Sequence, residues 1–221
     1  MRAGQKSKGN NNMDNALFPL EYMYITQGEY EYTYSHDGTY AMDFQGWGPN
    51  GRVLHCSYYA PFDCHCVAIW GSSSPMVVWQ SDQPVNYVDG TSDYMCIGFC
   101  HDNNIPSFRV GDTRSQGDTI GHTGTYGASG DHVHMEVAKG LYAGYYQNSH
   151  GVYQLRNEYH LYNALGVNDT VLTHDYYVNH QGKTITYPWK EFQITPPTPV
   201  VIYRKNKFPW VLYANRLRTI K

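Results

Sequence analysis

"GDHVHMEV", Gly130 to Val137, sets two histidines one residue apart within an alternating run. His132, His134 and Glu136 occupy one set of positions; Val133, Met135 and Val137 occupy the other. Successive side chains of a β-strand point to opposite faces. The stretch therefore predicts a strand whose apolar side faces a core. Both imidazoles then share the other side, roughly 7 Å apart at the backbone. Such a pair suits a shared site, in which one ring ligates a metal while its neighbour handles a proton. A polar strand face that carries two histidines by chance reads equally well from the octapeptide alone.

The rest of the chain narrows the choice. Its 221 residues suit one sizeable β domain, or a domain with an appendage, and can bury a core without disulfides. Charged residues make up 16% and the formal net charge is −3, which excludes a binder dominated by phosphate contacts, so no nucleic-acid partner is expected. No apolar run approaches the length of a membrane span. The start, "MRAGQKSKGNNNMDN", is basic and then polar, without the apolar middle of a secretory signal. Tyrosine is abundant at 22 residues; it favours strands and makes rigid amphipathic contact surfaces. With long helical patterns scarce, a mainly β, antiparallel protein is expected.

Residues 1–17 read as a disordered arm. Beyond them, "YEYTYSHDGTYAMDF" (30–44) reads as two extended runs around a turn, and "RVLHCSYYAPFDCHCVAIW" (52–70) as strand, turn, strand. "MVVWQ" (76–80) and "YMCIGFC" (94–100) are further strands. The glycine-dense run "VGDTRSQGDTIGHTGTYGASGDH" (110–132) reads as tight turns; with no GxxxxGK[ST] and no helix after it, a phosphate-cradling loop is rejected. "NEYHLYNALG" (157–166) predicts a short helix with a glycine stop. "TPPTP" (195–199) reads as a stiff linker to an apolar and basic extension that ends the 195–221 segment.

Five cysteines rule out a complete intramolecular disulfide set. Cys56, Cys64 and Cys66 fit no common zinc spacing, so buried free thiols are expected. Of the eleven histidines, His55, His65, His122, His150, His160, His174 and His180 read as surface or hydrogen-bonded structural residues. His36, Asp43, His101, His132 and His134 remain. Two histidines and a carboxylate can bind zinc while a fourth position stays open.

These residues carry a family resemblance. "SHDGTYAMDF", "GFCHDN" and "GDHVHMEV", joined by "FRVGDTRSQGDTIGHTGTYGASGDHVHMEV" and preceded by "YYAPFDCHCVAIW", resemble the lysostaphin-type (LytM-like) zinc metalloendopeptidases, which cleave peptide bonds in bacterial peptidoglycan. The resemblance covers about Glu21 to Leu141, fades through 142–195 and is absent after that. It implies antiparallel β-sheets of that peptidase type over 18–194. It implies His36, Asp43 and His134 as zinc ligands, and His101 and His132 as the flanking proton-transfer histidines. Six residues separate His36 from Asp43 where the family commonly has three, which brings Asp37 into consideration; it adjoins His36 and would point away on a strand, so Asp43 is preferred. Glu136 is a candidate acceptor behind a ligand histidine, and Tyr34 a candidate oxyanion donor.

The expected function is a zinc endopeptidase acting on the bacterial cell wall, borne by a phage as an endolysin or a virion-associated tail lysin, in the virion or released from the host cytoplasm at lysis. The contrasting expectation is an inactive structural or adhesive virion protein on the same fold. Residues 196–221 mix Phe208, Trp210 and Leu212 with Arg204, Lys205, Lys207, Arg216 and Arg218, and read as a contact surface for wall polymers or virion tail proteins.

Overall fold

A computed structural model describes residues 15–20, 22–29, 34–48, 50–167, 170–171 and 184–186. Apolar and β-branched runs form its strands: β1 (Tyr22–Gln27), β2 (Met42–Gly48), β3 (Gly51–Val53), β4 (Ser57–Tyr59), β5 (Cys64–Trp70), β6 (Met76–Ser81), β7 (Val85–Asn86), β8 (Ser92–Asp93) and β9 (Met95–Cys100). The second half adds β10 (Thr113–Arg114), β11 (Thr119–His122), β12 (Val133–Lys139), β13 (Tyr145–Gln147), β14 (Tyr153–Leu155), β15 (Glu158–Tyr159), β16 (Gly166–Val167), β17 (Thr170–Val171) and β18 (Thr184–Thr186). Helix is confined, among the described residues, to a 3-10 turn at Ile105–Ser107 and one turn, α1 (Leu161–Ala164). No helix of the described residues is long and apolar enough to cross a membrane.

The architecture is mainly antiparallel β. One large sheet runs in the order β10-β5-β6-β9-β12-β2-β1-β18, with β15 also pairing β12 and β3 pairing β2. Its register aligns Asp43 with His134, His134 with Cys100, Cys100 with Met76 and Met76 with Trp70. Directly opposed residues share a face, so these five side chains form one row on one side of the sheet.

The other side carries the main core. Phe44, Val77, Trp79, Ile97, Phe99, Val133, Met135 and Val137 pack there with Phe18, Leu20, Tyr58 and Phe62. Tyr58, on β4, stacks on Phe99 with ring centroids 4.6 Å apart. Each such large side chain contributes about 1.5–3 kcal/mol on burial. On the site face a smaller cluster of Met76, Val78, Cys96, Cys100 and Ala138 is covered by Leu155. The alternation of "HVHMEV" thus has its apolar half in the main core.

Four local expectations change. The segment 52–70 is not one hairpin, because β4 pairs with β11 while β5 pairs with β6, so the chain crosses between sheets at Ala60–Asp63. In 30–44, residues 34–38 form turns and the strand begins only at Met42; residues 30–33 lie outside the described residues. The helix expected over 157–166 shrinks to α1, because Asn157 takes a left-handed φ of 59° and Glu158–Tyr159 join β12 instead. The arm expected over 1–17 ends early: Ala16 is buried and Leu17 donates its N–H to the Pro61 carbonyl. Residues 1–14 and the segment 195–221 lie outside the described residues.

Candidate functional site

Strands β2 and β12 are hydrogen-bonded neighbours, and their register sets Asp43 opposite His134. His36 arrives from the turn ahead of β2 and is completely buried. The three side chains meet at one point. His36 Nε2 lies 3.1 Å from Asp43 Oδ1 and 3.2 Å from His134 Nδ1, and His134 Nδ1 lies 2.9 Å from Asp43 Oδ1. Ligands at about 2.0–2.2 Å from a tetrahedral zinc lie about 3.3 Å from one another. The triangle is close to one face of that tetrahedron, and these residues are the group able to hold a metal ion among the described residues.

The far side of each ring is anchored. His36 Nδ1 donates to the Gly28 carbonyl at 2.9 Å. His134 Nε2 donates to Glu136 Oε1 at 3.0 Å, and Glu136 Oε2 accepts the Leu155 N–H at 2.6 Å. These contacts select the tautomers that turn one bare nitrogen of each ring inward. A carboxylate behind a ligating imidazole also makes it a better donor.

The donor set explains its own electrostatics. Burial raises the Asp43 carboxyl, but hydrogen bonds from His134 and His36 outweigh it and hold the group well below the usual carboxylate range. Burial opposes charge on His134, yet Asp43 and Glu136 outweigh it and raise the ring to about 10.

His101 and His132 stand beside it, with ring centroids 4.4 Å apart. His132 Nδ1 donates to the Gly130 carbonyl at 2.8 Å, which leaves Nε2 facing Asp43 Oδ2 at 3.6 Å. His101 Nδ1 donates to the Tyr126 carbonyl at 3.0 Å, with Ser74 Oγ at 3.2 Å. Burial and the neighbouring His132 and His134 rings hold His101 down to about 4, so the ring is neutral at pH 7. His101 follows the end of β9 with a φ of 77°. Its turn is fixed by buried Asp102, which accepts the N–H groups of Asn104 and His122 at 2.7 Å each. Gly124 pairs with His132 through both backbone hydrogen bonds, and a Cβ at Gly124 would collide with the His101 carbonyl.

The other sequence candidates fall elsewhere. Asp37 Oδ2 accepts from Ser149 Oγ at 2.9 Å and meets His150 Nε2 at 3.3 Å, outside the triangle. Tyr34 is 67% exposed and its ring leans on His150. The five cysteines are buried and free, and burial pushes Cys66 up to about 11 and Cys96 to about 12, so these thiols stay protonated at neutral pH. His65 pairs with Asp82, and His160 with Glu29. His174 and His180 lie outside the described residues. Sequence reasoning missed Ser74 and the Gly28, Gly130 and Tyr126 carbonyls. Backbone acceptors have no residue signature, although the glycine spacing around 124–127 marks the place where backbones must approach closely.

No family model matches the chain. The chain is 36% identical over 186 residues to "Morphogenesis protein 1" of Bacillus phage B103, an alignment that covers 83% of this chain and 46% of that relative. The chain thus spans about half the length of the curated relative it matches. Among solved structures, a zinc-containing peptidase from Vibrio cholerae is similar at 18% identity and a TM-score of 0.40, over 57% of this chain and 36% of that one. The catalytic domain of lysostaphin from Staphylococcus simulans is similar at 17% identity and a TM-score of 0.35, over 62% of this chain and 88% of that one. The SpoIIQ–SpoIIIAH pore-forming complex is similar at 18% identity and a TM-score of 0.40, over 74% of this chain and 95% of that one.

Proposed function

We propose that the chain is a zinc-dependent endopeptidase that cleaves peptide bonds of bacterial peptidoglycan. The observation that carries this reading is the convergence of His36 Nε2, Asp43 Oδ1 and His134 Nδ1 within 3.2 Å of one another, with the outer nitrogens anchored. Zinc prefers N and O donors in a tetrahedron, so the residues fit the ion. When bound, zinc supplies Lewis acidity that polarises a carbonyl and acidifies water.

The protein's own groups do the rest. His36, Asp43 and His134 hold the ion. His101 and His132, whose Nδ1 atoms are engaged, present Nε2 to the reacting centre. One accepts the proton of the attacking water, and an imidazolium then passes a proton to the leaving amine nitrogen. Glu136 keeps His134 in its ligating tautomer. We assign this catalytic unit to residues 15–194.

The name of the 36% relative, a phage morphogenesis protein, supports action from a virion. The same name favours a second reading, a structural or adhesive virion component on a peptidase-like fold. Digestion of purified cell walls by the zinc-loaded chain tests the first reading. New amino termini identified by mass spectrometry support it and name the scissile bond. A chain that takes up no zinc after supplementation and releases no termini supports the second.

A further inference from the structure

Six residues separate His36 from Asp43, and the strand begins only at Met42. Residues 34–38 are turns, and Gly38 takes a left-handed φ of 72°. His36 is therefore carried on a turn, whereas Asp43 and His134 are carried on paired strands. The Gly28 carbonyl anchors its ring. The backbone on either side of it is tied to residues 146–158. Asn148 Nδ2 donates to the Tyr34 carbonyl at 3.3 Å, and Gln154 Nε2 to the Ser35 carbonyl at 3.0 Å. Ser149 Oγ donates to Asp37 Oδ2 at 2.9 Å, and His150 Nε2 lies 3.3 Å from the same oxygen. The Tyr40 N–H donates to Glu158 Oε2 at 2.8 Å, and Glu158 Oε1 accepts from the Tyr146 hydroxyl. Tyr146 and Gln154 are directly opposed on β13 and β14, so both project from one face of that hairpin.

We infer that the β13–β14 hairpin, with Glu158 beyond it, is a clasp that fixes the 34–40 turn and so holds His36 in its ligating position. Asn148, Ser149, His150, Gln154 and Glu158 are positioning residues, acting on His36 through the backbone before and after it. This deepens the zinc reading and rests on it. Fixing a turn costs conformational entropy. A clasp that fixes it as the chain folds removes that cost from metal binding, so zinc is held more tightly by side chains outside the triangle. Gln154 carries the argument furthest. It is fully buried, and its Oε1 finds no hydrogen-bond partner among the described residues. Burying an amide in that way is costly. Its Nε2 bond falls on Ser35, the residue immediately before His36. A hairpin that served only to cover Leu155 and its neighbours would need no amide there.

The test uses the full chain and two readouts. Zinc affinity is measured by competition with a chromogenic chelator, and amide exchange over residues 34–40 by mass spectrometry on the metal-free protein. Gln154→Met keeps the bulk of the side chain and removes the donor; it should weaken zinc about tenfold. Ser149→Ala with His150→Ala strips two exposed partners from Asp37 and should weaken zinc about threefold without threatening the fold. Both should speed exchange over 34–40. Ser149→Thr keeps the hydroxyl and should bind zinc as the parent does. The inference falls if either altered protein binds zinc as tightly as the parent or leaves exchange over 34–40 unchanged, or if Ser149→Thr is as weak as the alanine pair. A lower melting temperature with parent-like zinc affinity marks a merely structural hairpin and also overturns it. Failure of the zinc reading looks different: the parent itself takes up no zinc, while the exchange comparison still upholds or overturns the clasp.

Discussion

At the scale of single residues, the triangle and its neighbours divide into two kinds. His36, Asp43 and His134 are buried and turned toward one another, so removing any one leaves two donors around the same point. His36→Ala, Asp43→Ala and His134→Ala are each expected to lose bound zinc, read by atomic emission on the purified variants; a His134→Ala protein that keeps stoichiometric zinc would overturn the ligand set. His101 and His132 are not in the triangle. Their alanine variants are expected to keep zinc and fold while losing about 100- to 10,000-fold in activity. Wild-type wall digestion by either would remove that residue from proton transfer. The His134 ring, at about 10 with its Asp43 and Glu136 partners, also dictates a pH dependence. Zinc must displace that proton, so its affinity should climb about tenfold per pH unit above neutrality and level off near pH 10. In the metal-free chain the sign is opposite. The folded value exceeds the ordinary 6.5, so the stabilisation from charged His134 is full below pH 6.5 and is lost as pH rises toward 10. Competition titrations and thermal melts of the metal-free chain read the two trends separately.

At the scale of elements, strand register does what no single residue can. A one-residue slip between β2 and β12 would send Asp43 into the core and bring Met42 or Phe44 to the site face. Buried Phe44, Val133 and Met135 hold the register against that slip. The glycine-rich segment works on His101 and His132 in a similar way. Gly124 is bonded to His132 and leaves no room for a Cβ beside the His101 carbonyl, so Gly124→Ala should displace both rings while leaving the triangle intact. The expected result is near-normal zinc content with activity down about 100-fold, the usual consequence of misplacing catalytic groups by about 1 Å. Activity close to that of the parent would mean that the two strands tolerate the added methyl without moving the histidines.

At the scale of the whole molecule, the sheet uses its faces differently. One face holds the large core; the other carries the histidine centre and the small cluster under Leu155. Trp79, fully buried in the large core, is a direct test of that division. Trp79→Ala should lower stability by about 3–5 kcal/mol in denaturant titrations without changing zinc stoichiometry in the folded fraction. The 196–221 segment belongs to this scale as well. Its apolar and basic mixture suits a contact role. Deleting it should leave zinc binding and hydrolysis of a soluble peptide intact while association with whole cell walls or a virion partner drops. Unfolding or zinc loss on deletion would make it part of the catalytic unit instead.

The amino-acid order by itself determined the strand at Val133–Lys139, its apolar and polar faces, and the histidines worth following, because a period of two is written directly into "HVHMEV". It set Asp37 aside as the neighbour that would point away from His36 on a strand; the residue in fact lies in a turn, where its carboxylate meets Ser149 and His150. It misread 157–166 as helix because aromatic residues at helical spacing also suit a strand, and pairing of Glu158 and Tyr159 with β12 outweighed local preference. Only the tertiary structure decided which atoms meet. His36 and His134 are 98 residues apart, and their 3.2 Å contact exists because β2 and β12 pair in one register. The anchors on Gly28, Tyr126 and Gly130 are carbonyl oxygens that every residue possesses, so folding alone selects them.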